Sequence, residues 1–220
     1  MSDTTKFLAE LDRQIEETMS TLDVLKGPPL KTTGEAELVR RLKIALKNEL
    51  EAAELAALWM PTTSEIDIKL GLARQVGDEA RHYRLIEEHM EKFVVDLDEF
   101  DPLESGYSPM FQLLSGFSTT VERVAGAQLT RESIALKKNE QFIEFCDVLG
   151  ASSTAALYRE SIQPDEEWHV RLGRDSLARY AVTPELRESA RNAARAVLEL
   201  AVRLQKTQLH EMKISHAPGC

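Results

Sequence analysis

Apolar residues recur along this chain at three- and four-residue steps, the spacing that lays a single stripe down an α-helix. Residues 4–25 carry Phe7, Leu8, Leu11, Ile15, Met19, Leu22 and Leu25 in this way, and Gly27-Pro28-Pro29 should stop that helix. A second helix is expected to open at Thr33 or Gly34 and to run on Leu38, Leu42, Ala45, Glu49, Ala52 and Ala56 until Pro61. Thr62-Thr63-Ser64 before Glu65 resembles a capped start for a third helix to about Val95, on Leu72, Val76, Glu79, Tyr83, Ile86 and Met90. Asp96 to Pro109 is acidic and proline-bearing, and long enough to cross from one end of a helical bundle to the other.

From Met110 to about Leu149 the stripe is Val121, Ala125, Leu129, Glu132, Leu136 and Asn139, with Gly116 and Gly126 as expected irregularities and Gly150 as the stop. Ser152 or Ser153 should cap the next helix, which extends to about Tyr180. Pro164 lies inside it, removes a backbone donor and crowds the carbonyl of Glu160, so a kink or widened turn is expected just before Glu166. Thr183-Pro184-Glu185 begins a last helix to about Met212, with Leu186, Ala190, Ala193 or Ala194, Val197, Ala201 and Leu204 inward, and the tail from Ile214 to Cys220 is expected to fray. No stretch alternates with period two, so the class is all-α. The whole chain, 1–220, reads as one domain. Its core at 35–180 is a bundle of two antiparallel helix hairpins joined by a long crossover, and 4–25 and 184–212 are accessory helices.

Three of the central stripes contain a glutamate where an apolar residue belongs: Glu49, Glu79 and Glu132. The octapeptides Asp78–Leu85 and Asp165–Leu172 share D-E-x-x-H-x-R-L, five identities in eight, which points to duplication of one helical unit. Within each copy the Glu and the His are three residues apart and leave the helix on one face. A carboxylate and an imidazole so placed can hold one metal ion, and two facing copies can hold two, with one further Glu from each remaining helix. Counting back from the expected hairpin turns selects Glu49 opposite Glu79 and Glu132 opposite Glu166. Glu51 and Glu54 lie off the Glu49 stripe, and Glu140 and Glu144 lie too near the turn. Glu122 is ten residues from Glu132, about 15 Å along the helix. The competing reading is a set of buried ion pairs drawing on Arg81, Arg84, Arg131 or Arg171. It leaves the coincidence of two matched motifs and two stripe-centred glutamates without a cause, and unpaired buried carboxylates are costly.

Composition narrows the partners. With 27 basic and 37 acidic residues the surface is a poor match for nucleic acid. Two cysteines, Cys146 and Cys220, make neither a disulfide framework nor a C-x-x-C motif, and no segment approaches a spanning helix or an export signal, so a cytoplasmic protein free of membranes is expected. No Gly-rich dinucleotide turn or cysteine cluster is present to bind an electron carrier. Tyr83, Tyr158 and Trp168 read as packing residues, Cys146 as a small core residue, and His89 as solvent-facing. The extra apolar stripes of the terminal helices are compatible with a homodimer.

These motifs resemble the ferritin-like di-iron carboxylate superfamily, and Asp78-Glu79-Ala80-Arg81-His82 resembles the D-E-x-R-H motif of bacterial multicomponent monooxygenase hydroxylases. The second copy departs from it, with Trp168 in place of the arginine. The resemblance implies Glu49, Glu79, His82, Glu132, Glu166 and His169 as ligands of two iron ions, with manganese or a mixed pair as alternatives. It further implies that Asp78 orients His169 and Asp165 orients His82. The activity implied is an O2-dependent oxidase or oxygenase acting on a small organic molecule, supplied with electrons by a ferredoxin or flavin reductase, with no catalytic side chain beyond the metal ligands. A rubrerythrin- or ferritin-like ferroxidase or peroxide-handling protein is the alternative, and a non-catalytic helical scaffold a third.

Overall fold

The structure, a computed structural model, describes residues 3–24, 34–93, 97, 99–207 and 218. Leu25, the Gly27-Pro28-Pro29 stop, Thr33, Val95, Asp96, His210, Met212, His216 and Cys220 lie outside the described residues. All regular structure among the described residues is helical. In chain order it comprises α1 (Asp3–Val24), α2 (Glu35–Trp59), α3 (Ile66–Met90), α4 (Pro109–Ser115), α5 (Thr120–Arg123), α6 (Glu132–Leu149), α7 (Ser152–Leu157), α8 (Gln163–Tyr180) and α9 (Pro184–Thr207). No helix among the described residues is long and apolar enough to cross a membrane.

α2 and α3 form an antiparallel hairpin with the expected stripes inward: Leu38, Leu42, Ala45, Glu49, Ala52 and Ala56 are all buried, as are Leu72, Glu79, Ile86 and Met90. The turn is built differently from the expected cap. Thr62 and Thr63 donate their hydroxyls back to the Trp59 carbonyl, at 3.2 and 2.9 Å, and so close the end of α2. Glu65 precedes α3 without a side-chain cap. The crossover then climbs the outside of α2: Lys43 lies over the ring of Phe100, Lys47 donates to Ser105 at 3.2 Å, and Glu51 accepts from the Ser108 amide at 2.7 Å.

Two π-helical segments shape the second hairpin. The run expected to be continuous from Met110 breaks between α4 and α5, where Phe117 packs against Gly126; a Cβ on Gly126 would stand 2.3 Å from that ring. α5 continues through a π segment, Val124–Arg131, into α6, and the Glu132 amide donates to Ala127 five residues back. α7 continues through Tyr158–Ile162, also π-helical, into α8, and the Gln163 amide donates to Tyr158. The second segment falls where Pro164 forbids the ordinary i−4 bond. Each widened turn adds a residue and rotates the helix beyond it; Glu132 follows the first immediately, and Glu166 lies four residues past the second. Gly150, with φ of 79°, closes α6, and Ala151 rather than a serine precedes α7.

α8 packs on α6 and on the Val124–Arg131 segment, and α3 meets α8, so the two hairpins face each other; α9 covers α5 and the π segment, and α1 lies on α9, α8 and α6. Gly173 marks the closest approach: a Cβ there would sit 2.5 Å from the Leu129 nitrogen and 2.7 Å from the Gln128 carbonyl carbon, both backbone atoms. Gly173→Ala is therefore expected to lower stability by roughly 1–3 kcal/mol through overpacking. A thermal melt indistinguishable from that of the parent protein would show that α8 does not press on the π segment.

The apolar core divides in two. One cluster joins Phe7, Leu11, Trp59, Leu72, Leu129, Leu177 and Val197, and the other joins Leu42, Leu46, Ile86, Phe142, Tyr158 and Ile162. Along each central helix the boundary between them is polar: Glu49 on α2, Glu79 and His82 on α3, Glu132 on α6, Glu166 and His169 on α8, every one of them buried.

Candidate metal centre

The buried polar layer is a single constellation. Donor atoms of Glu49, Glu79, His82 and Glu166 lie within 4.8 Å of one another, and so do those of Glu79, Glu132, Glu166 and His169. Glu79 and Glu166 belong to both groups. The six residues proposed from spacing are thus brought together, each of the four rods supplying its part. His82 Nδ1 lies 3.3 Å from Glu49, 3.2 Å from Glu79 and 3.8 Å from Glu166. His169 Nδ1 lies 3.5 Å from both Glu79 and Glu166.

The outer ring nitrogens face the aspartates of the opposite motif. His82 Nε2 is 3.2 Å from Asp165 Oδ2 and His169 Nε2 is 3.3 Å from Asp78 Oδ2, the crossed pairing that the family resemblance implies. An acceptor behind each ring holds a proton on Nε2, so that Nδ1 is the ring nitrogen facing the centre. Arg81 donates to Asp165 and to the Ser161 carbonyl. Trp168 occupies the equivalent place in the second motif and cannot do the same for Asp78. Arg74 compensates, its guanidinium carbon 3.7 Å from the Trp168 ring centroid while it donates to Asp78 at 3.2 Å and to Asp165 at 3.3 Å.

Of the arginines in the ion-pair reading, only Arg131 reaches the constellation, 3.3 Å from Glu132. Arg84 pairs with Glu87, and Arg171 approaches Glu167 at 3.9 Å. The glutamates off the central stripes are engaged elsewhere: Glu51 with Ser108, Glu54 with Tyr107, Glu122 in a capping box with Thr119, and Glu140 with Lys137. His89 is buried rather than solvent-facing, 2.9 Å from the Thr154 hydroxyl, because α7 covers that turn of α3. Pro218, expected in a frayed tail, is buried, and its carbonyl accepts from Asn48 at 3.2 Å.

Sequence reading missed two amides. Gln75 donates to Glu132 at 2.8 Å and to Glu79 at 3.2 Å, and Gln128 donates to Gln75 at 3.0 Å. Each lies four residues before an inward glutamate, so the Q-x-x-x-E spacing was the available signal.

Electrostatics define what this arrangement accepts. Burial pushes Glu49 up to about 8, with repulsion from Glu79 and Glu166 adding to it against the pull of His82. Burial raises Glu132 well above the carboxylate range despite Arg131. Burial opposes charge on the two imidazoles but is outweighed: Glu49 and Glu79 raise His82 to about 12, and Glu79, Asp78 and Glu166 raise His169 well above its ordinary value. Burial also acts against ionised Glu79, yet the charges of His169 and His82 hold it near 2. Four groups therefore keep protons that they would lose in water. A bound cation would compete with those protons for the same atoms.

The donor set fits a metal on local grounds as well. Glu132 Oε2 is buried with no hydrogen-bond partner, and so is His169 Nδ1. A buried polar atom left without a partner is costly, and a cation that displaced the protons held there would relieve it. Four carboxylates and two imidazoles form a mainly hard-oxygen donor set, unlike the cysteine-rich tetrahedral sites of structural zinc. In comparisons with known proteins, no family model, no curated protein and no solved structure matches the chain.

Proposed function

We propose that the chain is a ferritin-like di-iron carboxylate protein that uses O2 to oxidise a small organic molecule. The observation that carries this reading is the overlap of the two four-residue groups in Glu79 and Glu166. Glu79 and Glu166 would take part in holding both ions, with Glu49 and His82 completing one group and Glu132 and His169 the other. Two ferrous ions held there would supply the electrons for a two-electron reduction of O2, with replacement electrons from an external ferredoxin or flavin reductase. The imidazoles, oriented by Asp165 and Asp78, offer Nδ1 to the centre. Arg81 and Arg74 hold those aspartates in place and answer their charge. The Gln75 amide braces Glu79 and Glu132 together, and the two apolar clusters on either side keep bulk water from the centre.

Oxygen uptake by Fe(II)-loaded protein supplied with reductant tests this function. Uptake that rises with an added organic substrate is expected. Rapid oxidation of excess Fe(II) with ferric mineral retained by the protein, independent of any organic compound, would favour the iron-handling alternative instead.

A further inference from the structure

On the α2 and α6 side of the centre, away from the aspartates, lies a cavity of about 180 Å³ enclosed by α2, α4, α6, α9 and Pro218. Its wall is largely apolar, with Ile44, Leu55, Phe111, Leu114 and Ile134. Three charged side chains line it: Glu51, Arg131 and Lys138. Two of the three charges are answered within the protein. Glu51 accepts from the Ser108 amide and faces Lys47 at 3.8 Å, and Arg131 faces Glu132.

Lys138 is different. Among the described residues its ammonium has neither an ion pair nor a hydrogen-bond partner. Burial pulls its amine below the ordinary lysine value, and no charged group among the described residues acts against that pull. Lys138 is half-buried, so its ammonium keeps some access to water while offering the cavity a cation with no counter-charge among the described residues. Lys138 lies six residues beyond Glu132, about 9 Å along the helix. α2 runs antiparallel to α6, with Leu42 and Leu46 packed in the cluster that also holds Phe142 and Cys146. The cavity therefore extends from the level of Ile44 and Lys138, past that of Glu49 and Glu132, to Leu55 and Leu114.

We propose that this cavity binds a small organic acid, its carboxylate paired with Lys138 and its apolar body laid along Leu55, Phe111, Leu114 and Ile134. A single carboxylate matches the single unanswered cation, whereas a doubly charged phosphate would leave one charge uncompensated among apolar walls. The volume sets the size: an apolar cavity of about 150 Å³ holds benzene, so an aryl or branched-alkyl acid of roughly that body fits. As the substrate pocket of an oxygenase, the cavity rests on the proposed di-iron function; as a binding site for acids, it does not.

Calorimetric titration with benzoate, and with benzamide as its neutral match, tests the proposal on both Fe(II)-loaded anaerobic protein and chelator-treated protein. Benzoate is expected to bind in both forms and to lose about tenfold to a hundredfold in affinity in Lys138→Met, the worth of one charge-assisted hydrogen bond. Lys138→Arg, which keeps the cation, should bind benzoate within a few-fold of the parent, and benzamide should bind weakly and alike in all three proteins. Circular dichroism checks that each variant is folded, and Lys138→Gln replaces Lys138→Met if the latter is not. Benzoate affinity unchanged by loss of the charge would overturn the proposal, as would no binding of either benzoate or 4-methylpentanoate to the parent protein. Metal content measured on the same samples separates the two readings. Bound iron without acid binding removes only the pocket, and Lys138-dependent acid binding in a protein that takes up no metal removes only the oxygenase.

Discussion

Glu79→Ala and Glu166→Ala are each expected to abolish metal retention at both positions, whereas Glu49→Ala and Glu132→Ala should each leave one ion bound. The asymmetry arises from the overlap of the two groups, since Glu79 and Glu166 contribute to both and the other two glutamates to one each. Loss of a residue that merely orients a ligand costs roughly 10–100-fold in metal affinity, so loss of a shared ligand should cost more than that at each position. Metal content after dialysis, measured alongside circular dichroism to verify folding, reads the result directly. A Glu79→Ala protein that retains one ion as firmly as Glu49→Ala does would mean that no carboxylate is shared.

The second large effect is an inversion of pH dependence on metal loading. In the metal-free protein His82 is raised to about 12 from an ordinary 6.5, so its stabilisation is complete below 6.5 and is lost as the pH climbs towards 12. Glu49, raised from 4.5 to about 8, holds in the folded state a proton that the unfolded chain releases, so stability falls as the pH rises from 4.5 to 8. Glu132 and His169 shift in the same direction. Glu79, lowered to about 2, gives stability that is present above 4.5 and lost only as the pH falls through 2, outside this window.

Metal-free protein should therefore melt progressively lower between pH 5.5 and 8, by about 1.4 kcal/mol per pH unit for each proton concerned. Cations compete with those protons, so metal binding tightens over the same range and releases protons as it does. Free metal at 1,000 times its dissociation constant adds about 4 kcal/mol, which at roughly 2–4 °C per kcal/mol is on the order of 10 °C for a chain of this size. Thermal unfolding at pH 5.5 and 7.5, with and without anaerobic Fe(II), should show the gap between loaded and metal-free protein widening with pH. A metal-free protein whose melting temperature rises across that interval would contradict the charge state assigned to the layer.

The helical class and the six converging residues were legible because both rest on periodicity. A glutamate centred on an apolar stripe has to face its neighbours, and an E-x-x-H pair within one turn shares a face whatever surrounds it. The widened turn before Glu166 was legible too, since Pro164 deletes a specific hydrogen bond. Its counterpart before Glu132 was legible only as an irregularity at Gly126, because the glycine permits a close approach without naming the Phe117 ring that fills it. His89 was misplaced for a related reason: a histidine one heptad beyond His82 sits on the same side of α3, and only the packing of α7 decides whether that turn is covered. Gln75 and Gln128 escaped notice because their spacing to Glu79 and Glu132 is common on any helix, and the Arg74–Trp168 contact because an exposed cation carries no periodic signal of its own. They become significant only once the neighbouring helix is in place.

Anaerobic Fe(II) titration with direct metal analysis tests the central claim most simply. Saturation at two irons per chain is predicted, with loss of tight binding in His82→Ala and His169→Ala. Saturation at one, no uptake, or the same uptake in both histidine variants as in the parent would contradict a dinuclear centre at the junction of the two hairpins.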